Sequence, residues 1–197
     1  MSASSDLGDR GVSIRDRFIS PEETLALLEC VRAREARGDF APARIGGLGT
    51  AQRREEIRGD FTCWLREPLY PAERSVLDRL EALRLELNGE ATLGLFEIEL
   101  HYARYPPGAG YARHTDQPLG STLRKVSLVL YLNVEWEPKH GGLLRLYETD
   151  GRSLDIEPVA GRLVCFLTPG REHEVLPAQR ERLSISGWYR GRDDALG

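Results

Sequence analysis

From residue 94 onward the chain alternates apolar and polar residues in seven short runs, over 94–105, 125–134, 142–147, 154–156, 162–167, 173–176 and 182–189. Side chains on a strand repeat with period two, so such runs are sheet. Turn-formers separate them at Pro106-Pro107-Gly108, Gly141-Gly142, Asp150-Gly151 and Pro169-Gly170. Residues 12–19 alternate in the same way. Ser20-Pro21-Glu22-Glu23 carries the signals of a helix start, with a capping serine, proline at the first helical position and a glutamate reaching back. That helix should run to Gly38. A second helix is expected over 71–87, with Leu77, Leu80, Leu83 and Leu87 on its buried face and Asn88-Gly89 closing it. Many short strands after two helices predict a mainly β, α+β domain: a sandwich or jelly roll with helices packed on one outer face.

The alternation also carries a polarity. Along 96–105 one face holds Phe96, Ile98, Leu100 and Tyr102, and the other holds Glu97, Glu99, His101, Ala103 and Tyr105. In 182–188 Leu183 and Ile185 oppose Arg182, Ser184, Ser186 and Trp188. If the helices cover the apolar face, the polar face lines a cavity.

One domain over 12–190 is expected, with a flexible tail at 1–11, a short tail at 191–197 and a long glycine- and arginine-rich loop over 41–60. Charges of 27 Lys+Arg against 31 Asp+Glu give a net −4, which argues against nucleic acid as partner. No apolar run is long enough to span a bilayer, and no secretory signal is expected. Three widely spaced cysteines suit a reducing compartment better than a disulfide framework, so a cytoplasmic location is expected. Cys165, among Leu163, Val164 and Phe166, is expected to be a small buried hydrophobe.

Chemistry concentrates in His114-Thr115-Asp116, whose first and third side chains point the same way on an extended segment. With His173 they make two imidazoles and one carboxylate, the facial triad that leaves positions open on a ferrous ion. Arg182 lies on the polar face of the last strand, where a guanidinium fork suits the far carboxylate of a keto acid.

Several motifs occur in register with these residues. They are Ile57-Arg58-Gly59-Asp60 followed by Trp64; Ala103-Arg104-Tyr105-Pro106; and Gly110-Tyr111-Ala112-Arg113-His114-Thr115-Asp116. Arg124, Tyr131-Leu132-Asn133, Gly141-Gly142-Leu143-Leu144-Arg145, Asp155-Ile156-Glu157-Pro158 and His173-Glu174-Val175-Leu176-Pro177-Ala178 follow, through Arg182 to Trp188-Tyr189. Together they resemble the 2-oxoglutarate- and iron(II)-dependent prolyl hydroxylases of the hypoxia-inducible-factor type and their bacterial relatives, across nearly the whole chain.

The resemblance implies a double-stranded β-helix, cupin-like, with helices on the major sheet. It implies iron on His114, Asp116 and His173, and 2-oxoglutarate on Arg182 with help from Tyr131 and Ser184. Tyr105 would point into the pocket near the metal, with Trp188 beside it; both then serve co-substrate and substrate. Arg124, with Arg58 and Asp60 in their loop, would face the substrate. The implied reaction hydroxylates a prolyl C4 on a flexible loop of a partner protein while 2-oxoglutarate and O2 give succinate and CO2, with ascorbate as reductant. A monomer is expected. The chain departs from the family in its short C-terminal tail and in the unmatched stretch between Phe40 and Ile57, which bear on substrate choice. His101 faces the same cavity but stands outside the triad pattern.

Overall fold

The computed structural model describes residues 3–44, 54, 56–91, 93–117 and 122–192. Its larger sheet has seven strands, in the order β1 (Val12–Arg15), β9 (Leu163–Leu167), β6 (Arg124–Tyr131), β11 (Arg182–Gly191), β4 (Leu95–Tyr105), β3 (Phe61–Trp64) and β2 (Ala41–Pro42). The smaller has β5 (Tyr111–His114), β10 (His173–Val175), β7 (Leu144–Tyr147) and β8 (Ser153–Ile156). All pairings within both sheets are antiparallel.

The alternation predicted for β4 and β11 sorts as expected. Leu100, Tyr102, Leu183, Ile185 and Tyr189 join one core with Leu27 and Val31 of α2 (Pro21–Ala36) and with Val76, Leu80, Leu83 and Leu87 of α3 (Pro71–Ala91). The opposite face, with His101, Ala103, Tyr105, Arg182 and Trp188, lines an internal cavity. Burying the greasy face outward under the helices leaves the polar face for the interior. The Tyr189 hydroxyl donates to Leu80 O at 2.5 Å, fastening α3 to the central strand. α2 and α3 are joined by a buried ion pair: Arg34 donates from Nε and Nη2 to the two Glu73 oxygens at 2.6 and 2.7 Å.

α2 begins on the predicted capping box, with Ser20 Oγ accepting from Glu23 N and Glu23 accepting from Ser20 N. Other elements depart from the sequence reading. Ala3–Arg10, expected as tail, forms α1, which buries Leu7 in the helix-side core. The run over 12–19 stops pairing at Arg15, and Arg17 turns the chain at φ 56°. α3 passes straight through Asn88-Gly89. The Asn88 side chain instead pairs with both backbone groups of Leu95 at 2.7 and 2.8 Å, so it receives the following strand and does not end the helix. Val76 joins Leu80, Leu83 and Leu87 in its buried stripe, and Leu77 packs half-buried against the same core. Four-residue β3 and β5 carry too little pattern to register as strands. Half of the expected 41–60 loop, residues 45–53 and 55, lies outside the described residues, as does the tail beyond 192.

Candidate metal centre and its cleft

The antiparallel pairing of β5 with β10 sets His114 directly opposite His173, which brings residues far apart in sequence side by side. Asp116 lies two residues beyond His114, in a bend past the end of β5, so the chain curves toward both rings. Asp116 Oδ1 stands 3.6 Å from His114 Nε2, and Oδ2 stands 3.5 Å from His173 Nε2. One donor atom from each residue falls within 4.8 Å of the others.

The rings are presented by their Nε2 atoms because each Nδ1 is occupied. His114 Nδ1 lies 2.7 Å from Ala112 O and His173 Nδ1 lies 3.3 Å from Arg171 O. A carbonyl only accepts, which assigns the proton to Nδ1 and leaves both Nε2 lone pairs free for a metal. Burial pushes the His173 imidazole below its ordinary value and so keeps it neutral. For Asp116, burial pushes the carboxyl up, but the facing His173 and His114 rings, when they carry a proton on Nε2, and the Ser127 hydroxyl outweigh it and hold the group well below the carboxylate range. Ser127 Oγ donates to Asp116 Oδ2 at 2.7 Å and meets Thr168 Oγ1 at 3.0 Å; the sequence reading missed both hydroxyls. The donor set, two imidazoles presenting Nε2 and one carboxylate, fits a divalent iron.

Behind the triad is a chamber of about 60 Å³. A single water needs roughly 10–15 Å³ by this measure, so the space takes a handful of waters or one small organic acid. Arg182 lines it, 1% exposed, with Nε donating to Gly142 O at 2.9 Å. Gly142 sits at φ +68°, and a Cβ there would come 2.9 Å from Ala178 Cβ and 3.1 Å from the Trp136 ring, so glycine lets these close in beside the Arg182 stem. Among the described residues no carboxylate pairs with Arg182. A buried, unneutralised cation is costly unless an anion joins it. The Tyr131 hydroxyl, fully buried, has no hydrogen-bond partner, and its ring lies 5.0 Å from the guanidinium, with the Tyr105 ring at 5.3 Å. An orphaned hydroxyl and an unpaired guanidinium beside the triad fit a dicarboxylate such as 2-oxoglutarate. Ser184, expected at this site, is fully buried and its hydroxyl bonds Ser186; Ser186 is the serine that lines the chamber. Arg180, on the same alternating face, instead reaches Glu135 O and the Trp136 ring.

The chamber adjoins a cleft of about 1040 Å³ lined by Trp64, Arg124, Trp188 and Arg58 among others. Arg124 Nη1 donates to Asp116 O at 2.9 Å while its guanidinium covers the Trp188 ring at 3.4 Å. Arg58 grips Asp60 through two bonds, of 2.7 and 3.0 Å, and covers the Tyr111 ring, which stacks at 3.5 Å on His114. Asp60, expected to face a substrate, has a fully buried side chain, so it braces Arg58 and presents nothing to the cleft. The backbone pairs Gly59 N with Gly110 O and Ala112 N with Ile57 O, locking this segment onto β5. Among the described residues no helix is long and apolar enough to cross a membrane.

The family model of the 2OG-Fe(II) oxygenase superfamily matches residues 100–190. The human protein named Egl nine homolog 1 is 32% identical over 198 residues, covering 95% of this chain and 46% of its own length, so the chain spans about half of that relative. The human protein named prolyl hydroxylase EGLN3 is 30% identical, covering 93% of this chain and 80% of its own length. A solved Pseudomonas putida prolyl-4-hydroxylase is 42% identical with a TM-score of 0.87, covering 97% and 98% of the two chains. A prolyl hydroxylase in complex with a hypoxia-inducible-factor oxygen degradation domain peptide fragment, from Trichoplax adhaerens, is 27% identical with a TM-score of 0.86, covering 95% and 87%. The two-sheet architecture is thus the double-stranded β-helix.

Proposed function

The chain belongs to the 2OG-Fe(II) oxygenase superfamily, alongside the Egl nine prolyl hydroxylases, and we propose that it 4-hydroxylates a prolyl residue of a partner protein. The observation that carries this reading is the buried, unneutralised Arg182 in the chamber behind His114, Asp116 and His173. A cationic anchor beside an open metal face has a use when a small dicarboxylate spans the two.

In this reading His114, Asp116 and His173 hold Fe(II), and Arg182 and Tyr131 hold the far carboxylate of 2-oxoglutarate. The iron, when bound, supplies the oxidising chemistry by which O2 is divided, one oxygen atom entering succinate as CO2 leaves and the other entering the prolyl C4–H bond. The protein's own work is placement. Nδ1 bonds to Ala112 O and Arg171 O fix the imidazoles. Ser127 fixes the carboxylate. Tyr105 and Trp188 shape the space where the prolyl ring enters, and Arg58 and Arg124 shape the rim. A cleft of 1040 Å³ suits a length of polypeptide better than a free amino acid. The site is complete within one chain, which supports action as a monomer, and ascorbate would keep the iron ferrous. Three free, buried cysteines support a cytoplasmic setting.

The test is to incubate the protein with Fe(II), 2-oxoglutarate, ascorbate and an extract of its own cells, then search peptides by mass spectrometry. One added oxygen on a proline, absent when His173→Ala replaces the wild type, is the expected result. Hydroxylated small molecules without any modified peptide would replace the protein-substrate reading.

A further inference from the structure

His101 is the one histidine whose side chain the preceding roles leave unused inside the site. It lies on β4, 3% exposed, and lines both the chamber and the cleft. Its ring packs on two indoles that neighbour each other at 6.4 Å: Trp64, with centroids 4.9 Å apart and planes tilted by 44°, and Trp188, at 5.5 Å and 28°. Nδ1 is sealed from solvent and has no hydrogen-bond partner. Burial pushes the imidazole down to about 4, with Arg58 acting in the same sense, so the ring is neutral near pH 7 and carries one proton.

Where that proton sits follows from what each nitrogen faces. A buried N–H without an acceptor is rarer and costlier than a buried lone pair without a donor. The sealed Nδ1 therefore keeps the lone pair, and the proton goes to Nε2, the nitrogen left to the cavity side. No protein acceptor meets it among the described residues. Burial and contact with both indoles hold the ring's orientation, so the donor is aimed and not free to turn away.

We propose that His101 is a substrate-binding residue that donates its Nε2–H to a peptide carbonyl flanking the target proline. This inference rests on the prolyl-hydroxylase reading and adds the group that selects an amide-linked proline. A proline in a chain offers neutral carbonyls on both sides of its ring, which a neutral donor can hold without separating charge. The neighbouring Trp64 and Trp188 rings supply apolar walls on which a pyrrolidine ring packs, and His101 supplies the polar contact beside them.

The experiment uses the full chain loaded with Zn(II) and 2-oxoglutarate, with N-acetyl-L-proline N-methylamide as probe. Long-range proton–nitrogen correlation spectra of the imidazoles should show His101 neutral, with its proton on Nε2. Adding the probe should shift both that resonance and the Trp188 indole. His101→Phe, which keeps an aromatic slab, should bind the probe about fivefold more weakly, the size of one neutral hydrogen bond, and His101→Gln, which keeps an N–H, should recover most of the loss. A proton on Nδ1 overturns the assignment. Movement of Trp188 while His101 stays still overturns the contact but leaves the prolyl pocket standing. If neither ring moves, the prolyl reading itself falls and takes this inference with it.

Discussion

The Ser127 hydroxyl stands 2.7 Å from Asp116 Oδ2 and, with Thr168 at 3.0 Å, forms a short chain of hydroxyls ending on the carboxylate of the triad. Ser127 has a single proton, and the ionised carboxylate can only accept it, so Thr168 must donate to Ser127. The carboxylate is thereby turned so that each of its oxygens faces one imidazole.

Removing that hydroxyl should loosen metal binding more than it loosens the fold. Ser127→Ala creates almost no cavity but frees the Asp116 rotamer. Loss of such an outer partner lowers metal affinity by about 10–100-fold. Titrating Mn(II) into wild type and variant while following tryptophan emission should show that weakening with the thermal midpoint little changed. Equal affinities would mean that the backbone alone orients Asp116.

Arg182 sets stability against binding. A cation that is 1% exposed with no carboxylate partner among the described residues is held at some expense to the empty fold. Arg182→Met keeps the length and apolar stem without the charge. Its ligand-free melting point should equal or exceed that of wild type, whereas the rise on adding 2-oxoglutarate with Zn(II) should disappear. Thermal scans of both proteins with and without the acid decide it. An undiminished ligand-induced rise in the variant would remove Arg182 from co-substrate binding.

The legible part of this site was the part with long-range alternation or compact spacing. His114 and Asp116 sit in one triplet, and Arg182 sits on a ten-residue strand whose polar face is plain from Ser184, Ser186 and Trp188. His173 was legible as a ligand because it opens a strand. Its pairing opposite His114 was not, because β5 has only four residues and no alternation of its own. Ser127 reads as one polar residue in an apolar run, with nothing to say that its hydroxyl points at Asp116. Asp60 misleads for the opposite reason: a charged residue in a charged segment reads as exposed, and only the Arg58 fork shows that it is buried. α1 escaped because, among its described side chains, the anchor is Leu7, buried by contacts that are tertiary and not local.

The Arg34–Glu73 pair makes a prediction about the helical layer. Glu73 is wholly buried, accepts two bonds from Arg34 and a third from Tyr70 N at 2.9 Å. Glu73→Gln leaves the buried guanidinium with Asp39, 3.6 Å from Nη1, as its remaining counter-charge and should cost about 3 kcal/mol, the low end of what breaking a buried pair costs. The paired Arg34→Met with Glu73→Leu replacement, which removes both charges, should recover much of that loss. Urea midpoints of the three proteins make the comparison. A double variant as unstable as the single one would show that packing around the pair, and not its charge, holds α2 to α3.

His101 ties stability to pH with a definite sign. In the fold its imidazole is pushed down to about 4 by burial, with Arg58 and Arg124 acting in the same sense against Asp60 and Asp116; unfolded, it returns to the ordinary imidazole value of 6.5. Between those values the unfolded chain binds the proton and the native chain does not, so protonation favours unfolding as pH falls. The contribution is fully present above pH 6.5 and declines progressively to pH 4, for a total of about 3 kcal/mol at most. His101→Phe cannot bind that proton. Urea unfolding of both proteins between pH 7 and pH 4 should therefore show the wild type losing stability more steeply than the variant, with the difference confined to that window. Parallel profiles would mean that the imidazole charges as readily inside the protein as in water, which its burial against Trp64 and Trp188 does not allow.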